Sequence, residues 1–261
     1  MKCVSDIVYD PHHGLALDLY LPDTLKADAC VIYAHGGGFR RGHRAHVETG
    51  HFAAQLTEAG FAMASISYRL RTGMDAFADE DVAHIEKAMA RTEKVGLTLS
   101  PNLYGPSFMA ALEDMSAAIE YLWVEGENLG IASRKVGVLG ISAGGIAGLS
   151  LAYPPMAWVR RVSRPDAVVA ISSAIVQPWR LEEDGPACLM FHGPRDRIVD
   201  IGNAQLGAAR AQQVGAPVVL VDTRVNGHTS QVDEVLDGGH PDGTPYMQMV
   251  IDQFERLRAD A

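Results

Sequence analysis

The sequence predicts an α/β protein: a mostly parallel central sheet with helices on both faces and a small helical insertion. Short apolar, β-branched runs alternate along the chain with helical patterns, which is the signature of a sheet wound with crossover helices. Two glycine-rich segments each come directly after such a run, the position that loops at the carboxyl ends of parallel strands occupy. With 261 residues, 48% of them apolar, the chain can bury one large core, and residues 1–261 are expected to form a single domain.

Taken in order, residues 15–21 alternate in polarity and end at Pro22-Asp23, which predicts an early antiparallel strand. Residues 29–34 form an apolar run that delivers the chain to His35, and 47–59 read as helix. Strands follow at 61–68, 136–139, 167–171, 187–191 and 218–222. Between Arg69 and residue 140 the pattern is least regular. Ala78, Val82, Ile85 and Met89 mark one helical face, and Phe108, Leu112, Met115, Ile119 and Leu122 mark a second after the Pro106-Ser107 start signal. The first of these helices reads as inserted. Residues 71–107 are either a packing segment on one sheet face or a lid or pocket wall, with Phe77, Met89, Leu103, Tyr104 and Phe108 as its candidate pocket residues.

The 22 basic and 32 acidic residues give a net charge of −10, which argues against nucleic acid as a partner. Cys3, Cys30 and Cys188 have no metal-type spacing, and the latter two sit in apolar runs as buried thiols would. The opening Met1-Lys2-Cys3-Val4-Ser5-Asp6 lacks the apolar core of a signal peptide, and no stretch approaches a membrane span. A cytoplasmic protein with no membrane partner is expected.

The chemistry is carried by His35-Gly36-Gly37-Gly38 and Gly140-Ile141-Ser142-Ala143-Gly144. With 26 glycines in the chain, composition alone would produce G-x-S-x-G roughly 0.1 times and H-G-G-G roughly 0.01 times. A serine on a sharp strand-to-helix turn presents its hydroxyl to substrate, and a glycine run after a strand frees backbone N–H groups for a developing oxyanion. Ser142 is a weak nucleophile alone, so a histidine must take its proton and a carboxylate must orient that histidine. In the order Ser, acid, His, the acid that best follows a strand is Asp196, with Asp200 as the alternative. The histidine is His228, with the later His240 less well placed. His192, at a strand end, is read as structural before a substrate contact. The run Arg40-Arg41-Gly42-His43-Arg44 is read as a solvated loop before a contact for an anionic acyl or leaving group.

With these residues in view, the chain resembles the α/β-hydrolase superfamily, specifically the H-G-G-G carboxylesterases that include hormone-sensitive-lipase-like and acetyl-xylan or feruloyl esterase-like members. The resemblance is carried by Asp18-Leu19-Tyr20-Leu21-Pro22, His35 to Gly38, Ser67-Tyr68-Arg69-Leu70, the Ser142 turn with Gly145, His192-Gly193 with Asp196 and Val199, and Gly227-His228. It implies nucleophile Ser142, acid Asp196, base His228, and oxyanion donors at the N–H groups of Gly37, Gly38 and Ala143. It implies hydrolysis of small or short-acyl esters through an acyl-enzyme, with no metal or cofactor. Two departures separate the chain from the hormone-sensitive-lipase-like branch: Ile141 stands where Asp is usual, and the D-P-L acid motif is absent. The compact esterase branch is nearer. An amidase or arylformamidase on the same residues, and a non-catalytic binding protein on the same scaffold, are the alternatives, the third glycine of His35 to Gly38 favouring esters.

Overall fold

Alternation along the central runs sorts their side chains to two faces. In the strand Ala29–Ala34, Cys30, Ile32 and Ala34 join one apolar cluster while Ala29, Val31 and Tyr33 join another, and all six are buried. A strand buried on both faces needs helices on both sides, and the computed structural model, which describes residues 1–24, 29–131 and 135–257, has that arrangement.

Eight strands form one sheet: β1 (Lys2–Asp10), β2 (Leu15–Leu21), β3 (Ala29–Ala34), β4 (Ala62–Ile66), β5 (Lys135–Ile141), β6 (Ala167–Ile171), β7 (Ala187–His192) and β8 (Val218–Asp222). Their spatial order is β1-β2-β4-β3-β5-β6-β7-β8. β2 pairs antiparallel with both β1 and β4, and all other pairings are parallel. One face is covered by α2 (Asp79–Lys94), α3 (Pro106–Glu125), α4 (Ala143–Ala152) and α5 (Ile201–Val214). The other is covered by α1 (Val47–Glu58), α6 (Ser230–Asp237) and α7 (Tyr246–Glu255), whose Phe52, Leu56, Val235, Val250 and Phe254 pack on the sheet.

Within residues 71–107 the chain makes two single 3₁₀ turns, Met74–Ala76 and Pro101–Leu103, around α2. Ile85 of α2 joins the core, Thr92 Oγ1 donates to Val176 O at 3.1 Å, and Asp81 forms a two-bond ion pair with Arg161 at 2.5 and 3.0 Å. Edge strand β1 was not foreseen, because most of its residues are solvent-exposed and its pairing slips between Val4 and Ile7 and again between Val8 and Asp10. β4 is shorter than residues 61–68, since beyond Ser67, which bonds Ala16 at both its N–H and its hydroxyl, the chain turns to meet Asp114 of α3. Cys30 and Cys188 are buried free thiols, burial pushing that of Cys30 up to about 12, whereas Cys3 is exposed. No helix among the described residues is long and apolar enough to cross a membrane.

Candidate active site

β5 ends where Ser142 takes φ +51° and ψ −115°, a conformation that costs a non-glycine residue strain and persists only when its surroundings enforce it. The enforcement is visible. Ser142 N–H donates to Ile171 O of β6 at 2.8 Å, while Ser142 O accepts from Ile146 N–H of α4 and from Ser173 Oγ, each at 2.9 Å. Gly144 lets α4 start this close to the sheet, since a Cβ there would lie 2.2 Å from Ala34 O.

Asp196 follows β7 in a turn whose own backbone fixes the carboxylate: the N–H groups of Ile198 and Val199 donate to its Oδ1 at 2.8 and 3.0 Å. Its Oδ2 faces His228 Nδ1 at 2.6 Å, and His228 Nε2 faces Ser142 Oγ at 2.9 Å. Burial alone would raise the Asp196 carboxyl, but hydrogen bonds from His192, His228 and the two N–H groups outweigh it and hold it well below the usual carboxylate range. The group is therefore ionised near neutral pH and fixes Nδ1 of His228 as the protonated nitrogen, leaving Nε2 to accept from the serine. Ser172 Oγ donates to His228 O at 2.9 Å, which ties the histidine loop back to the end of β6.

The glycine loop after β3 is held by its carbonyl groups. His35 Nδ1–H donates to Gly36 O at 2.7 Å, and the N–H groups of Arg40 and Arg41 donate to Gly37 O at 3.2 and 3.3 Å. In a trans peptide the N–H points opposite to the C=O. Anchoring Gly36 O and Gly37 O therefore turns the N–H groups of Gly37 and Gly38 away from those anchors. Neither these two nor the N–H of Ala143, at the first turn of α4, donates to an acceptor among the described residues. Gly37, at φ +121°, must be glycine, because a Cβ would lie 1.9 Å from Arg41 O. The loop runs directly beside the serine: a Cβ at Gly36 would stand 3.4 Å from Ser142 Cβ. His35 stacks on Tyr68 with ring centroids 4.3 Å apart, and burial pushes its imidazole down to about 4, so the ring that anchors the loop is neutral.

Asp200 and His240 lie elsewhere. Asp200 caps α5 through Gly202 N–H at 2.8 Å, and His240 pairs with the exposed Asp242 at 3.0 Å. His192 is fully buried, its Nδ1 3.2 Å from Ser173 O and its Nε2 2.8 Å from Val199 O and 3.4 Å from Asp196 Oδ2. Phe108 is core, edge-on to Phe39; Leu103 and Tyr104 are buried; Phe77 and Met89 are half-buried against the same cluster. None of the five lines either of two cavities near the site. One, of about 530 Å³, includes His228, and the other, of about 490 Å³, is bounded by Asn102, whose amide donates to Gly38 O. Sequence reasoning passed over Ser172, Ser173 and Asn102, although the Ser172-Ser173 pair sits directly after a strand, as the other site residues do.

The sheet order and the strained serine between β5 and α4 define the α/β-hydrolase fold. The BD-FAE family model matches residues 17–90, a stretch that contains the glycine loop but none of Ser142, Asp196 and His228. No curated protein matches the chain. Solved structures similar in fold include a truncated carbohydrate esterase from gut microbiota, 17% identical, covering 99% of this chain and 96% of that one at a TM-score of 0.69. A native thermophilic esterase from the planctomycete Thermogutta terrifontis is 16% identical, covering 95% and 90% at a TM-score of 0.65.

Proposed function

We propose that this protein is a serine carboxylesterase of the H-G-G-G type, acting on small or short-acyl esters, with Ser142 as nucleophile, His228 as general base and Asp196 as its orienting acid. The observation that carries the reading is the unbroken line from Ser142 Oγ to His228 Nε2 at 2.9 Å and from His228 Nδ1 to Asp196 Oδ2 at 2.6 Å. The BD-FAE match over the glycine loop and the esterases of the same fold support it.

His228 Nε2 takes the Ser142 proton as Oγ attacks the ester carbonyl carbon. The resulting oxyanion is met by the N–H groups of Gly37, Gly38 and Ala143, each donor worth on the order of 3 kcal/mol where the site excludes water. The imidazolium, stabilised by ionised Asp196, then gives its proton to the departing alkoxide, leaving an acyl-serine and an alcohol. Water, deprotonated by the same Nε2, attacks the acyl carbon and releases the acid. Cavities of about 490 and 530 Å³ suit compact substrates better than long triglycerides.

The test is hydrolysis of p-nitrophenyl esters from acetyl to decanoyl beside N-formylkynurenine, with Ser142→Ala as control. Cleavage should be highest for short chains and fall by roughly 10⁴-fold or more in the variant. Preference for the formamide would move the protein to the amidase reading. Full turnover in folded Ser142→Ala would overturn the mechanism.

A further inference from the structure

The cavity of about 490 Å³ beside the glycine loop is lined by Arg40, Arg71, Thr72, Asn102 and Ser107. Its walls form one hydrogen-bonded unit. Arg71 Nε donates to Arg40 O at 2.9 Å, Arg71 N–H to Phe39 O at 2.9 Å, Ser107 Oγ to Thr72 O at 3.0 Å, and Asn102 to Gly38 O. Arg71, at φ +55°, and Phe39, at φ +57°, both sit in the left-handed region, a strain that marks a segment whose surroundings dictate its conformation.

Neither Arg40 nor Arg71 has a carboxylate within ion-pair distance among the described residues, and the Arg40 side chain makes no hydrogen bond there either. Of the other described arginines, Arg44 pairs with Asp6 and Asp18, Arg69 with Glu113 and Asp114, Arg161 with Asp81 and Arg164 with Glu182, while the rest have no carboxylate partner among the described residues; what sets Arg40 and Arg71 apart is that both line one cavity. The second cavity, which includes His228, repeats the pattern with Arg195 and Arg197, again without an acidic partner among the described residues. An acidic protein thus presents unneutralised guanidinium groups in both cavities near its candidate centre. Guanidinium is the group that binds carboxylate and phosphate by charge-assisted, forked hydrogen bonds.

We propose that the cavity bounded by Arg40 and Arg71 is an anion subsite, so that the ester cleaved at Ser142 carries a carboxylate or phosphate on the part that reaches it. The substrate class rests on the esterase reading above; the subsite does not. Because Asn102 holds Gly38 O and Arg71 holds the carbonyl groups of Phe39 and Arg40 that follow it, an anion seated there orders the chain that leads out of the loop supplying Gly37 and Gly38.

The experiment compares matched ester pairs: mono-p-nitrophenyl adipate against p-nitrophenyl hexanoate for a charge on the acyl side, and p-acetoxybenzoate against its methyl ester for a charge on the alcohol side. In the wild type, one pair should favour the anion in kcat/KM by about tenfold at low salt. That ratio should collapse in Arg40→Gln and shrink at high ionic strength. Calorimetric titration of adipate and of inorganic phosphate into wild-type and Arg40→Gln protein reads the subsite without turnover and separates carboxylate from phosphate. Equal ratios in wild type and variant for both pairs, with no Arg40-dependent anion binding, overturn the subsite while neutral-ester cleavage still stands. Arg40-dependent binding with no ester cleaved keeps the subsite and removes the esterase reading.

Discussion

At the scale of single residues, the site depends on how closely α4 approaches β3. Gly144→Ala sets two effects against each other. Alanine is the better helix former by about 1 kcal/mol, but its Cβ would lie 2.2 Å from Ala34 O and 2.7 Å from His35 O, both backbone atoms that cannot rotate away. The steric effect wins, because relieving it moves either the helix start that holds Ser142 or the strand end that holds His35. We expect the variant to be less stable by about 2 kcal/mol, with the proposed ester cleavage lost beyond what the fraction unfolded explains. Urea unfolding beside kcat/KM measures both, and unchanged values in both would show that α4 and β3 move apart there at no cost. Ser142, Asp196 and His228 could be picked out as candidates in the sequence because each comes after a strand, in the order Ser, acid, His that goes with this fold. The contacts around them were not. That His192 lies between Ser173 O, Val199 O and Asp196 depends on which loops lie side by side, which neither motif nor period encodes.

At the scale of elements, two ion pairs tie helices to the rest of the molecule, and burial predicts that they matter unequally. The chain leaving β4 is held to α3 by Arg69, whose N–H and Nε donate to Asp114 at 2.6 and 2.8 Å, and the Asp114 side chain is 2% exposed. Removing the cation strands a buried carboxylate, so Arg69→Met should cost about 3 kcal/mol. The tie from α2 to Arg161 has similar geometry, but the Arg161 side chain is 46% exposed, and solvent screens it. Asp81→Asn should cost less than about 1 kcal/mol. Comparable losses in denaturant unfolding would mean that solvent reaches the two sites alike. The helical period found α2 and α3 because one face of each is apolar, whereas β1 escaped notice because an exposed edge strand has no buried face to impose alternation.

Over the whole molecule, the glycine loop also links the site to acid stability. His35 is buried and its imidazole is pushed down from 6.5 to about 4, chiefly by desolvation. Between those values the unfolded chain binds a proton at this residue that the folded protein does not, so stability rises with pH across the window. The contribution is fully present above about pH 6.5 and is lost as pH falls towards about 4, a swing of about 3 kcal/mol. Asp196 acts in a separate window: its carboxyl is depressed, so its contribution is present above the ordinary carboxylate range and is lost only as pH falls further. His35→Asn keeps a donor near Gly36 O but removes the titration. The difference in unfolding free energy between about pH 7 and about pH 4.5 should therefore be smaller in the variant by about 2 kcal/mol, groups common to both proteins cancelling. Parallel pH curves would mean that His35 accepts its proton without leaving its place beside Tyr68, and that the loop is not what gives way first in acid.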